Sequence, residues 1–148
     1  VKLQRTFILT FSGMMKMVSQ KIEKKSGLFA GQLKVTMDNQ EFVYSAYSIS
    51  GLGNTMEAVF NREGEPPSKN GVQIRTLTEN YGKEVIIPNG STWLILSVEG
   101  VPYTSATGKL TFNCDDECYS AHGSFSIQMP SGSPYVNLTD GIFSINPF

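Results

Sequence analysis

Six residues within nine positions have side chains capable of chemistry: Cys114, Asp115, Asp116, Glu117, Cys118 and His122. In an oxidising compartment the two cysteines could close a disulfide at a hairpin tip, provided their Cα atoms come within about 7 Å, as they can across a tight turn. Export decides between that disulfide and two free thiols, and the disulfide Cys114–Cys118 is the expectation. Structural zinc asks for four Cys or His ligands. Only three soft ligands stand here, and His122 falls where a strand residue faces solvent, so no metal site is expected. Calcium would find carboxylates but no spaced Asp-x-Asp-x-Asp-Gly loop.

Nucleophilic catalysis needs a base that is itself oriented by a third group. His122 is the sole histidine, so any triad must be built on it. No Gly-x-Ser-x-Gly elbow, phosphate loop or dinucleotide fingerprint occurs. Glycoside hydrolysis would need two carboxylates facing each other across a cleft. Glu41, Glu57, Glu84 and Glu99 all lie on expected strands, where paired lysines and solvent explain them equally well. No catalytic residue and no cofactor is assigned.

The aromatic residues Phe42, Tyr44, Tyr47, Tyr81, Trp93, Tyr103, Tyr119 and Tyr135 exceed what an aliphatic core requires. Aromatics are favoured in strands, so filling the core and capping sheet edges is the simpler role. The other is a binding platform for sugar or protein, for which Tyr81, Tyr103 and Tyr119, close to turns, together with Trp93, are the candidates.

These residues must be positioned by strands. Thr107–Asn113 alternates polar and apolar residues, and Tyr119–Met129 sets Phe125, Ile127 and Met129 against Ser124, Ser126 and Gln128. Successive side chains of a strand point to opposite faces, so such alternation describes one buried and one wet face. A short strand Tyr135–Leu138, a turn Thr139-Asp-Gly141 and a last strand Ile142–Ile145 complete an antiparallel meander. Upstream, Gln32–Met37 and Glu41–Ile49 flank a hairpin turn at Asp38-Asn-Gln40. Gly51–Asn54 turns the chain into Thr55–Asn61, and Arg62–Gly71 is a polar, Pro-rich loop in which no ladder continues. Val72–Thr78, Glu84–Ile87 and Thr92–Val98 follow. The last is apolar on both faces, which places it in the middle of a sheet. Near the start, Leu3–Phe11 reads as a strand. Ser12–Lys25 changes period, with Met14, Val18 and Ile22 at spacings of three and four, and reads as the one helix.

The chain has 148 residues, which fits one domain (strand and helix over 1–27, β core over 31–148), and a chain of that size buries about 68–70% of its unfolded surface. With 12 basic and 13 acidic side chains and a formal charge of -1, little is available to neutralise a phosphate backbone, so nucleic acid is not an expected partner. No run reaches the ~18 apolar residues of a membrane span. Residues 1–18 make a poor secretion signal, with Lys16 inside a short apolar part and no cleavage site, so a signal removed upstream fits better. A charged fraction of 17%, below the usual ~25%, suits an extracellular or periplasmic β-protein.

Gly-Lys-Leu-Thr-Phe (108–112), Gly-Ser-Phe-Ser-Ile (123–127) and Val-Asn-Leu-Thr-Asp-Gly-Ile-Phe-Ser-Ile (136–145) resemble the C-terminal end of a family of small secreted Bacteroidetes lipoproteins of unknown function. The match covers roughly the last forty residues, and Gly31–Ser48 is loosely similar to that family's opening hairpin. The resemblance implies a β-rich domain tethered outside the cell, by a lipid anchor upstream, and carries over no catalytic residues.

The expected fold is all-β, an antiparallel sandwich or flattened barrel with one N-terminal helix. The expected function is a noncatalytic exported or surface-tethered module that binds a glycan or a partner protein, located outside the cell, in the periplasm or on the outer surface. One alternative is a lipocalin-like carrier of a small apolar ligand, with a cavity lined by Trp93, Phe60 and Phe125 and the helix as a lid. The other is a structural subunit that assembles by strand addition through Leu3–Phe11 or Ile142–Phe148.

Overall fold

Where apolar residues recur at every second position, the backbone of the computed structural model is paired, and residues 29–90, 92–115 and 120–147 are described. The strands are β1 (Phe29–Met37), β2 (Gln40–Leu52), β3 (Thr55–Asn61), β4 (Gly71–Leu77), β5 (Glu84–Ile87), β6 (Trp93–Val98), β7 (Val101–Tyr103), β8 (Thr107–Asp115), β9 (Ser120–Gln128) and β10 (Asn137–Pro147). All pair antiparallel in one ten-stranded sheet of order β5-β8-β9-β10-β1-β2-β3-β4-β6-β7. The protein is therefore one curled sheet, a half-barrel, and not two stacked ones. The expected strand Leu3–Phe11 and helix Ser12–Lys25 lie outside the described residues. Among the described residues the only helical turn is the 3-10 turn Thr78–Asn80, and no helix is long and apolar enough to cross a membrane.

The curl follows from chain connectivity. β4 and β6 pair with each other near one end of the sheet, while β5, between them in sequence, pairs with β8 at the far edge. Seven strand spacings separate β4 from β5 in that order, about 34 Å on a flat sheet. The connection from Leu77 to Glu84 spans at most about 25 Å when extended, and its 3-10 turn shortens it further. Only a sheet rolled onto itself satisfies both lengths. The concave face then packs against itself, with Leu33, Tyr44, Phe60, Ile74, Leu94, Leu96, Phe112 and Phe143 fully buried.

Several expectations are corrected. Thr139-Asp-Gly141 is no turn: β10 runs through it, and its register slips by one residue against both β1 and β9, so the extra residue is a bulge, with Asp140 at φ 53°. Because β10 is paired on both sides, the described part of Ile142–Phe148, which ends at Pro147, offers no free edge, and among the described residues the sheet's edges are β5 and β7. Glu99 lies on no strand. With Gly100 it forms a two-residue turn, both at positive φ, that adds the unanticipated β7. β6 lies next to the edge and not mid-sheet: Leu94 and Leu96 face the core, while Trp93 and Ile95 are half-buried on the outside.

The Pro-rich loop is pinned rather than loose. Buried Asn61 donates from Nδ2 to the carbonyls of Arg62 and Glu65, and buried Asn70 donates to the Glu65 and Glu99 carboxylates. The Asn70 Oδ1 in turn accepts from the Glu99 N–H at 3.1 Å, tying the loop to the β6–β7 turn.

Candidate functional site

Two outward depressions stand out on opposite flanks of the sheet, and cross-strand register builds the first. Gln32 of β1 faces Ser144 of β10, which faces His122 of β9, which faces Asn113 of β8. One rung on, Lys34, Ile142, Ser124 and Thr111 follow in the same order. Residues two apart on a strand share a face, so both rungs point outward. The small Ser124 and Ser144 keep the floor low between longer flanks, which leaves a groove of about 530 Å3.

Its chemistry is that of unspent hydrogen-bonding capacity. Gln32, Asn113, Thr111, Ser124 and Ser144 carry amides and hydroxyls that make no side-chain hydrogen bond to another group among the described residues. Ile142, 61% exposed, sets an apolar patch among them. Lys34 lies 3.9 Å from the Glu41 carboxylate, an exposed and weak pairing. His122 is held by Asp115 across 2.9 Å between Nδ1 and Oδ2, so the ring has a fixed orientation although it is half-exposed. A carboxylate on one ring nitrogen is two-thirds of a triad, but no hydroxyl among the described residues lies within hydrogen-bond distance of the imidazole. The pair can present the other ring nitrogen to a ligand.

The second depression, about 600 Å3, lies beside the Pro-rich loop and is bounded by Tyr47, Val59, Pro66, Pro67, Ile95 and Pro102. Tyr47 is the extra residue of a bulge in β2, which turns its ring outward. Farther along this face Arg75 lies over the Trp93 ring, 4.9 Å from its centroid, and 3.7 Å from Glu57, which also accepts from Gln73. Here Arg75, Glu57 and Gln73 engage one another, although the buried Nε of Arg75 has no hydrogen-bond partner among the described residues, and the lining sets Ser68, Gln73 and Ser97 among apolar side chains.

No family model, curated protein or solved structure matches this chain. Geometry and chemistry alone therefore carry the assignment.

The expected aromatic platform is dispersed. Tyr81 stacks on Phe112 with centroids 6.2 Å apart and packs, like Tyr103, against the core. Trp93 lies on the opposite, outward face beneath Arg75, and Tyr119 lies outside the described residues. Nor do Trp93, Phe60 and Phe125 line one cavity, since Phe60 and Phe125 are in the core and both face Phe143. Cys114 packs against the core, and the disulfide rests on Cys118, which with Asp116 and Glu117 is outside the described residues. Among the described residues no group of three or more His, Cys, Asp or Glu could hold a metal. The groove residues 32, 113, 122 and 144 escaped sequence reasoning because strand register alone brings them together. The one available signal was the outward placement of Ser124 and His122.

Proposed function

We propose that this chain is a noncatalytic binding module, exported or tethered at the cell surface, and that the groove across β1, β10, β9 and β8 holds a glycan. One observation carries this reading: five amide and hydroxyl side chains that find no hydrogen-bond partner among the described residues face a single groove around exposed Ile142. A sugar ring offers the complement, hydroxyls that both donate and accept along its rim and a C–H face for the isoleucine. Amides and hydroxyls supply both kinds of partner, which a purely cationic or purely acidic groove would not. Trp93, on the opposite face from Phe60 and Phe125, favours a displayed site over an enclosed carrier cavity.

The test is calorimetric titration of the full chain with ligands drawn from a broad glycan array. The double variant Gln32→Ala, Asn113→Ala is expected to bind about 10–100-fold more weakly, about 1.4–2.7 kcal/mol, with an unchanged melting temperature. Tyr47→Ser, on the other flank, should leave affinity intact. Silence across the whole array would sink the glycan reading, and loss of binding in Tyr47→Ser alone would move the site to the Pro-rich groove.

Placement outside the cell rests on the low charged fraction and the lipoprotein resemblance. It carries an expectation for Cys114 and Cys118: closed as a disulfide, they leave no thiol for a maleimide reagent after unreduced protein is unfolded. Two equivalents of reacted thiol would show them reduced.

A further inference from the structure

The groove does not end at Thr111 and Ser124. A second depression of about 260 Å3 shares those two residues and continues toward Lys109, Ser126, Glu84 and Asp140. Its cause is the bulge in β10. Beyond Ile142 the outward row of that strand is put out of step: Gly141 faces the core against Phe125, and the next exposed residue, Asp140, belongs to the bulge and takes a left-handed φ of 53°. β8 and β9 keep their alternation, so the outward row of β10 falls out of step with theirs beside Lys109 and Ser126, where the depression lies.

The two lobes differ in chemistry. The first presents amides and hydroxyls. The second adds carboxylates: Glu84, 3.7 Å from Lys109 with both side chains more than 60% exposed, and Asp140, for which no ion pair is found among the described residues. A carboxylate accepts and cannot donate; Lys109 balances the charge of Glu84, so it is the end of the lobe at Asp140 that selects ligand hydroxyl or amine donors and disfavours anions. Four adjacent strands span about 14 Å, more than one sugar ring covers.

Resting on the glycan reading, we infer that the ligand is an oligosaccharide, not a single sugar, lying across both lobes, and that it carries no acidic groups where it meets Asp140. The first lobe sets whether a sugar binds, and the second sets how long a chain is preferred.

Calorimetry on the full chain with cello-, manno- and chito-oligosaccharides of one to six units separates the two claims. In the series that binds, affinity should rise at least tenfold between one and four units and then level off. Asp140→Asn, whose side chain also tolerates left-handed backbone, should weaken binding of the tetramer about five- to tenfold and leave the dimer unchanged. Ser126→Ala, on β9 opposite the bulge and so outside the bulged strand itself, should do the same to a smaller degree. Gln32→Ala should weaken dimer and tetramer alike. Affinity independent of length, tetramer binding insensitive to both second-lobe variants, or tighter binding of oligogalacturonides would each overturn this inference while leaving a glycan site in the first lobe. Failure of every oligosaccharide to bind would overturn the glycan reading itself.

Discussion

Phe143→Ala is expected to cost about 3–5 kcal/mol of folding stability and to lower the melting temperature by about 10 °C or more. Phe143 is fully buried on the concave side of β10, with ring centroids 5.6 Å from Phe112, 5.8 Å from Phe60 and 6.5 Å from Phe125. Phe60 belongs to β3, three places along the sheet, so this contact bridges the curl and is not between neighbours. Removing the ring takes away both its transfer energy and the filling of the space between the two flanks, and a sheet closed by its own connections cannot collapse fully into that space.

Gly123 is the reason the ring can lie where it does. In register it stands between Phe112 on β8 and Phe143 on β10, and the two rings meet over it. A Cβ at 123 would sit 2.5 Å from the Phe143 ring and 2.1 Å from the Thr111 carbonyl oxygen. Gly123→Ala is thus also destabilising, and adding Phe143→Leu rescues it only in part, because the clash with the Thr111 backbone remains. Urea unfolding of the single and double variants reads both effects. A Phe143→Ala protein within 1 kcal/mol of the parent would show that the two flanks are not held together by this cluster.

Much of this architecture was legible from alternation. The bounds of β3 and β5 match the expected strands residue for residue, because each is a short, largely apolar run set off by turn residues. Failures came where a local signal has two solutions. Asp140-Gly141 is as suited to a bulge as to a hairpin turn, and only the neighbouring strands, which run on past it, decide. Val101-Pro-Tyr103 is too short, and its proline too unfavourable, to be read as a strand, yet an edge tolerates both. Apolar residues on both faces of Trp93–Val98 pointed to a mid-sheet position, but long side chains such as Arg75 partly cover the outer face without a second layer. The proposed site was the least legible part. Its side chains lie on three consecutive strands, β8 to β10, and on β1, far from them in sequence, and none is unusual taken singly.

Stability above pH 10 should depend on one buried phenol. Tyr44 is 2% exposed, and burial, which disfavours the phenolate, pushes its pKa from 10.0 to about 12. Two smaller influences act on it: the Arg62 guanidinium, by its charge and a hydrogen bond, favours ionisation, while nearby Tyr135 opposes it. In the unfolded chain the same phenol ionises at its ordinary value. Below pH 10 both states hold the proton and stability is unaffected. Between pH 10 and 12 the unfolded state releases it while the folded state retains it, so stability falls as pH rises, by about 2–3 kcal/mol over the window. Tyr44→Phe has no proton to release, and Arg62 keeps its place over the Phe42 ring, 5.5 Å from the centroid. Urea unfolding at pH 9, 10 and 11 should therefore show the parent losing stability more steeply than Tyr44→Phe, with the difference growing by about 1 kcal/mol between pH 10 and 11. Parallel curves for the two proteins would mean that the Tyr44 hydroxyl ionises as readily in the folded chain as in the unfolded one, and that Arg62 offsets its burial.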